Sequence, residues 1–536
     1  MWQSARVVIG CMRSRPLKRP ANRIRATLDQ SKSPVTKDQG SVPIADAIRA
    51  YWERDMLSFG IPAHSRPRSP TRSHQMGRCR RCPHGLTDES RLGHPRSSVE
   101  DPGDAEELFA EAAEAQQTPF STGGSSMNVR VAITTVASPG ETLVMARNGH
   151  KSSFAGLVLS GAQPVYLDQV YDDELEIAPG PLPNDLAQLL DAHPQARAAL
   201  VFTPSYYGTS ADVRGLADVC HERELPLVTD DAWGLDYKLS GHPALPEGAL
   251  TQGSDLAIGS VHKTLTGLGQ TSVLSVGSDR IDTERLGLCF ELQESTSTST
   301  PAALEHRRRA GTVRPRRHRT ARPRLAQRRA TACPACRRGA RAASDRPRSI
   351  RGVTAVDPTH VIIEAASVGL TGFEADDWLR DERMVDVELV DHRRIMPLVT
   401  FAHGKPEIDR LVRALRDLVS EKGSPGKDTD VRPLPTRSHL RTEQATLPRD
   451  GLLRAVRERQ TAPGDRTRKR RARHPYPPGI PAIAPGELYN QEAIDYLEEI
   501  VAAGAFVEGA ADQTLSTLSV VARGARHRLG ATRRSH

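Results

Sequence analysis

Between Asp101 and Arg285 the apolar positions follow two alternating rhythms. One is a series of short, nearly unbroken apolar runs: Thr142–Met145, Pro164–Leu167, Ala198–Phe202, Pro226–Thr229 and Asp255–Gly259. Runs apolar at consecutive rather than alternate positions predict strands buried on both faces. The other rhythm has helical spacing. Leu108, Phe109 and Ala112 share a face behind an expected cap at Asp104, and Phe154, Leu157, Val158 and Leu159 follow His150. Leu186, Leu189 and Leu190 form a third face, and Leu216, Ala217 and Cys220 a fourth. Val273–Val276 closes the series as another strand-like run. Strands alternating with helices of about ten to fifteen residues predict βαβ units, hence an α/β fold with a doubly wound, mostly parallel sheet. Such sheets bind ligands beyond the carboxyl ends of their strands.

A second ordered stretch runs from Thr359 to Leu418. It predicts a strand at His360–Glu364, a helix from Thr371 through Trp378 and Leu379, and an alternating strand at Val385–Val390. A strand at Met396–Phe401 and a helix lined by Ile408, Leu411, Val412, Leu415 and Leu418 complete it. Ile44, Ile48 and Tyr51 are spaced like a helix face near one end of the chain, and Ile494, Tyr496 and Leu497 near the other. Between these regions the pattern stops. Arg66–Val99, Pro301–Gly352 and Thr461–His474 are rich in Arg, Pro, Ser and Ala and too poor in aliphatic residues to build a core.

Composition sharpens this division. The chain has 536 residues, 38% hydrophobic and only 4% aromatic, low for a fully folded chain of this size. Its formal net charge of +9 resides mainly in the three anomalous segments, so it does not mark a nucleic-acid-binding face. A reading-frame slip in a GC-rich gene would produce their Arg/Ala/Pro/Gly mixture, and resequencing codons 66–99, 301–352 and 461–474 tests that. The 7 cysteines are scattered and odd in number, which argues against a disulfide framework and for a reducing, cytoplasmic compartment. Cys79-Arg-Arg-Cys82-Pro-His84 and the distant Cys333 and Cys336 lack the regular pair spacing of a structural zinc site, and no metal is expected. No apolar run approaches the roughly 18 residues of a membrane span. Residues 1–40, without an acidic residue before Asp29, read as a disordered leader rather than a targeting signal.

The candidate chemistry lies at the strand ends. Ser121-Thr-Gly-Gly124-Ser125-Ser126 is a Gly/Ser loop opening a helix, and backbone N–H groups at a helix N-terminus flanked by hydroxyls bind phosphate well. Ala146-Arg147-Asn148-Gly149-His150 ends one strand with a histidine. Asp230-Asp231-Ala232-Trp233 ends another, and Ser260-Val261-His262-Lys263 follows a third. Each has an ordinary reading alone: a turn, a helix cap, a solvated strand end, a surface lysine. Together, a phosphate loop, a ring-stacking His, an acidic strand end and a lysine able to form a Schiff base are the set that a pyridoxal phosphate site needs.

Ser260, His262, Lys263, Thr266, Gly267 and Gln270-Thr271-Ser272 resemble the lysine motif of the Orn/Lys/Arg decarboxylase family, which are fold-type-I pyridoxal phosphate enzymes. Gly269 stands where that motif usually has Ser, Thr or Ala. Phe59–His64, Leu370–Ala375, Asp391–Met396, Pro475–Pro481 and Ala484–Glu487 resemble other parts of the family. The resemblance implies a doubly wound large domain followed by smaller α+β C-terminal domains. On that basis 41–100 is an N-terminal segment, 101–300 the cofactor-binding large domain and 301–352 an aberrant insert. Residues 353–421 are then a small α+β domain, 422–474 a linker, 475–522 a C-terminal domain and 523–536 a basic tail.

The implied reaction is decarboxylation of arginine, lysine or ornithine, arginine first, to the amine and CO2, as in polyamine synthesis, through a Schiff base on Lys263. Gly124, Ser125 and Ser126 would hold the phosphate, with Ser260 and His262 beside them. His150 would stack on the pyridine ring, Ala232 would pack on its other face, and Asp230 rather than Asp231 would pair with the ring nitrogen. Trp233 would be pocket wall, and Tyr206 and Tyr207 either shape the pocket or belong to the core. Ser295–Thr300 matches a hydroxyl-rich loop that reaches a partner's site, so at least a homodimer is implied. The first forty residues are too short for the wing domain through which longer members form decamers. The alternatives are an inactive remnant of such an enzyme, or another fold-type-I aminotransferase or lyase. An aminotransferase would want an Arg clamp for a second carboxylate. No nucleic-acid or membrane partner is expected.

Overall fold

The computed structural model describes residues 102–295 (apart from 173, 174, 176 and 266), 350–424, 442–460 (apart from 455) and 481–502, with short pieces at 54, 56–61, 474–475, 507–508, 515 and 517–521. The expected helix face at Ile44, Ile48 and Tyr51, both cysteine pairs, Thr266, residues 296–300 and nearly all of the three Arg-rich segments lie outside them.

After β1 (Leu57–Phe59) comes α1 (Pro102–Ala113), then β2 (Phe120–Ser121), α2 (Gly124–Val136), β3 (Thr142–Ala146), α3 (Lys151–Ser160) and β4 (Gln163–Leu167). The alternation continues through α4 (Pro183–Ala192), β5 (Ala196–Phe202), β6 (Thr209–Ser210), α5 (Val213–His221), β7 (Leu227–Asp230) and α6 (Asp236–Ser240). It ends with β8 (Leu256–Ser260), the single turn α7 (Val261–Thr264), β9 (Ser272–Val276) and α8 (Thr283–Gln293). Among the described residues seven strands form the central sheet, in the order β2-β9-β8-β7-β5-β3-β4. Strands β4, β3, β5, β7 and β8 are mutually parallel, while β9 runs antiparallel to both its neighbours.

Double-sided burial explains the unbroken apolar runs. Leu143 and Met145 of β3 join Ile133, Phe154, Leu157, Leu200 and Ile258 in a core under α2 and α3. Val144 and Ala146 of the same strand point to the other face, among Leu186 and Leu190 of α4, Val201 of β5, and Leu216 and Cys220 of α5. Alternation is present in space but invisible in the sequence, because both faces are apolar. The α1 expectation needs correction: the helix starts at Pro102, so Asp104 lies within its first turn instead of capping it. Its buried side is Ala105, Phe109, Ala110 and Ala113, whereas Leu108 is 46% exposed.

Beyond residue 350 the chain continues with β10 (Ala355–Val356), β11 (Ile363–Glu364), α9 (Gly372–Glu382), β12 (Val385–Val387), β13 (Leu389–Val390), β14 (Arg394–Met396) and α10 (Lys405–Glu421). Thr371 caps α9 in a reciprocal capping box with Glu374. Phe59, Phe373, Trp378, Leu379, Val385, Ile395, Ile408, Leu411 and Leu418 form one core here.

Three expected strands are shorter than the pattern suggests. Val385–Val390 divides at Glu388, because β12 pairs with β1 and β13 pairs with β14. The expected Met396–Phe401 strand instead ends at Met396, where Pro397 offers no N–H to a ladder. Only Ile363 and Glu364 of His360–Glu364 enter a strand, while His360 makes an isolated bridge to Leu398.

The last described elements are α11 (Pro448–Leu453), β15 (Val456–Gln460), β16 (His474–Pro475), α12 (Gln491–Ala502), β17 (Val507–Glu508) and β18 (Thr517–Val521). Ile483, Tyr489, Tyr496 and Leu497 build a separate small core that also receives Tyr171. Among the described residues, no helix is long and apolar enough to cross a membrane.

Candidate active site

The carboxyl ends of β3, β5, β7 and β8 surround a cavity of about 320 Å³, within the range of small-molecule sites. Gly123, Gly124, Ser125, Ser126, His150, Ser152, Phe202, Tyr206, Asp230, Ala232, His262, Lys263 and Gln270 line it. Residues up to 147 positions apart in sequence, Gly123 and Gln270, thus meet at one rim because parallel strands return their carboxyl ends to the same edge.

The Gly/Ser loop delivers the N-terminus of α2. Gly124 takes φ +74°, a left-handed conformation that favours glycine, and no side chain caps the helix. Its first N–H groups are therefore left for a ligand. Ser125 accepts a 2.7 Å hydrogen bond from Ser260. Ser260 itself is fully buried and does not line the cavity, so it reaches the site only through Ser125. Facing Gly124 is Gln270, a non-glycine residue at φ +73°. A strained backbone at a cavity wall is a feature that spacing alone could not reveal.

His150 caps α3. Its Nδ1 accepts from Ser152 N at 3.2 Å and from the Ser152 hydroxyl at 2.8 Å, which leaves Nε2 as the N–H position of the neutral ring. His150 thus caps the helix and lines the cavity at once. His262 donates from Nδ1 to Thr271 O at 2.9 Å. Burial depresses its pKa, the Thr271 carbonyl opposes that, and the neighbouring Lys263 charge adds to it.

Asp230 ends β7 with its side chain on the cavity. Burial pushes its carboxyl up to about 6, against the Lys263 charge and a 3.3 Å hydrogen bond from Ala232 N. Asp231 does not line the cavity; burial and the charges of Asp236 and Asp230 hold it well above the ordinary carboxylate range. Lys263 stands on α7, the turn that continues β8. Burial lowers its pKa, while Asp230 and Glu388 raise it. Its Nζ lies 4.4 Å from the centre of the Trp233 ring. Trp233, expected as pocket wall, is buried and does not itself line the cavity; it meets the site through its contact with Lys263. Of the tyrosine pair, Tyr206 lines the cavity, stacked 4.9 Å from Phe202, whereas Tyr207 turns away to donate to Asp391 at 2.9 Å. Phe202 and Ser152 went unnoticed in the sequence, although their positions at a strand end and two residues past His150 were the available signal.

Arg147, three residues before His150, binds the distant C-terminal segment. Its guanidinium donates to Glu487 Oε1 (3.2 Å) and Oε2 (2.9 Å), to Pro481 O (2.8 Å) and to Ala482 O (3.2 Å). The Phe154 and Tyr166 ring centres each lie 5.3 Å from it.

Comparison with known proteins identifies a family through a family model and curated relatives. The family model described as "Orn/Lys/Arg decarboxylase, major domain" matches residues 42–314. An arginine decarboxylase from Halalkalibacterium halodurans is 32% identical over 450 residues, covering 80% of this chain and 86% of that protein. One from Bacillus subtilis is 31% identical over 438 residues, covering 78% and 84%. Among solved structures, the Escherichia coli constitutive lysine decarboxylase superposes with a TM-score of 0.65 at 17% identity, covering 94% of this chain and 82% of that one, a likeness of fold.

Proposed function

Since the chain belongs to the Orn/Lys/Arg decarboxylase family, we propose that it releases CO2 from a basic amino acid, arginine first, with pyridoxal phosphate held on Lys263. The observation that carries this reading is the meeting of Ser125, His150, Asp230 and Lys263 around one cavity. Its chemistry fits the cofactor. An uncapped helix N-terminus with two serines suits a phosphate, and a buried carboxylate suits a protonated pyridine nitrogen. His150 and Ala232 both border the space where the ring would sit, and Lys263 supplies the amine. Bound there, the cofactor would accept the electron pair left behind when the substrate carboxylate departs.

The protein's own groups do the rest. Burial favours the neutral, nucleophilic form of the Lys263 amine. Asp230, with a pKa of about 6, is largely ionised at neutral pH and would keep its partner nitrogen protonated. Glu388, at the break between β12 and β13, lies close enough for its charge to raise the Lys263 amine, and it is fixed by a 2.6 Å hydrogen bond from Ile61 N. A held negative charge within electrostatic reach of the reacting amine suits a cationic substrate side chain. A homodimer is part of this proposal on the strength of the family resemblance, and sedimentation velocity tests it.

Borohydride trapping of the purified protein with pyridoxal phosphate, followed by peptide mapping, is expected to label Lys263. Separately, the unreduced protein supplied with the cofactor is expected to yield CO2 and amine from arginine, lysine or ornithine. Label at another residue rejects the site assignment. Keto-acid formation would indicate an aminotransferase, and label on Lys263 without product an inactive remnant.

A further inference from the structure

Trp233 is nearly buried, yet its indole Nε1 finds no hydrogen-bond partner among the described residues. No polar contact therefore fixes the ring's orientation. Two perpendicular ring contacts do. Tyr206 lies 6.3 Å away at 70°, and His360 lies 5.6 Å away at 69°. His360 is confined by packing: its side chain is fully buried with Nδ1 3.1 Å from the Asp357 carboxylate, yet among the described residues neither ring nitrogen makes a hydrogen bond of good geometry. Gly208, at φ +75°, leaves the space that the imidazole fills, because a Cβ there would come within 2.9 Å of His360 Cβ and Cγ. Asp357 N donates to Gly208 O at 2.8 Å, which ties the segment to the loop carrying Tyr206. Burial works to raise the Asp357 carboxyl, but His360 and the hydrogen bonds from Thr359 outweigh it and leave it below its ordinary value.

We propose that His360 is a positioning residue: seated on Asp357 and Gly208, it wedges the Trp233 indole against the Lys263 amine, and the ring face so held favours the charged form of that amine. The inference rests on the reading of Lys263 as the cofactor lysine. Other groups that bear on the amine are Asp230 and Glu388, which favour its charge, and the adjacent His262. Asp357 and the Tyr237 phenol beside it are the titratable neighbours of His360.

The experiment uses the full chain freed of cofactor. Only the neutral amine attacks an aldehyde, so the pH dependence of the rate of pyridoxal phosphate capture, followed by visible absorbance, reports the proton affinity of Lys263. Both Trp233→Leu and His360→Leu should lower the midpoint by about half to one pH unit, a three- to tenfold shift, since the ammonium loses its ring face. The double variant should shift no further than either single one. His360→Phe combined with Asp357→Asn keeps a ring wedge without a buried unpaired acid, and should retain the wild-type midpoint. An unchanged midpoint in folded His360→Leu, additive shifts in the double variant, or a shifted midpoint in the ring-retaining variant would each overturn the proposal. Wild-type capture at a residue other than Lys263 would overturn the functional reading and this inference together.

Discussion

Asp230 is held at a cost that the working site would use. Its pKa of about 6 in the folded chain lies above the 3.8 of an ordinary aspartate, so the folded state binds more protons between those two values. Stability of the cofactor-free protein should therefore fall as pH rises through that window. Asp230→Asn removes the penalty and should stabilise the cofactor-free protein by about 1–3 kcal/mol at pH 7, with the gain vanishing toward pH 4. Urea melts at the two pH values check this, and a variant less stable at pH 7 would refute it. The same substitution should lower kcat by roughly 10²-fold or more, because a neutral amide cannot hold a protonated ring nitrogen. Glu388→Gln should act differently, raising KM for a cationic substrate by about tenfold with a smaller effect on kcat, if a charged hydrogen-bond partner is lost. Much of this was legible at the level of single residues, because His150, Asp230 and Lys263 each sit just past a recognisable apolar run and Gly124 and Ser125 stand in a Gly/Ser loop that opens a helix. Glu388 and His360 were not. They arrive from elements more than 90 positions beyond Lys263, and no local spacing links them to it.

Whole elements were legible where the sheet is buried on both faces and obscure where a strand changes partners. The run through β3, β5, β7 and β8 left little choice, whereas Val385–Val390 looks like one strand and is two. Periodicity records which residues face a core, not which neighbour supplies the ladder. The same limit hid the docking of the C-terminal segment on β3 and α3. Arg147 read only as part of a strand end, and Glu487 only as part of a distant motif, yet they form a buried ion pair with side-chain exposures of 11% and 1%. Removing one member of such a pair strands the other charge. Arg147→Met should cost about 3–5 kcal/mol, and combining it with Glu487→Met should recover part of that loss. Chemical denaturation of the three variants tests the coupling, and simple additivity would mean that the pair does not act as a unit.

At the scale of the molecule, the candidate site draws on three cores that are far apart in sequence. The central sheet supplies the cavity floor, the core around Phe59 and Phe373 brings Glu388 toward Lys263, and the C-terminal cluster grips the strand end that carries His150. The grip has two further points. Arg449 donates to Val158 O at 2.8 Å and to Leu159 O, which are carbonyls in the last turn of α3. Because α3 begins at His150 and ends under Arg449, loosening the C-terminal segment should be felt at both ends of that helix. Hydrogen exchange on the full chain can read this. Glu487→Gln keeps the shape of the contact but weakens its charge, and should speed exchange in residues 481–497 and also in residues 147–160. Amides of β12 and α9 belong to a different core and should keep their wild-type rates. Faster exchange confined to 481–497 would mean that the C-terminal cluster packs beside the site without restraining it, and the energetic link from Glu487 to His150 would have to be abandoned.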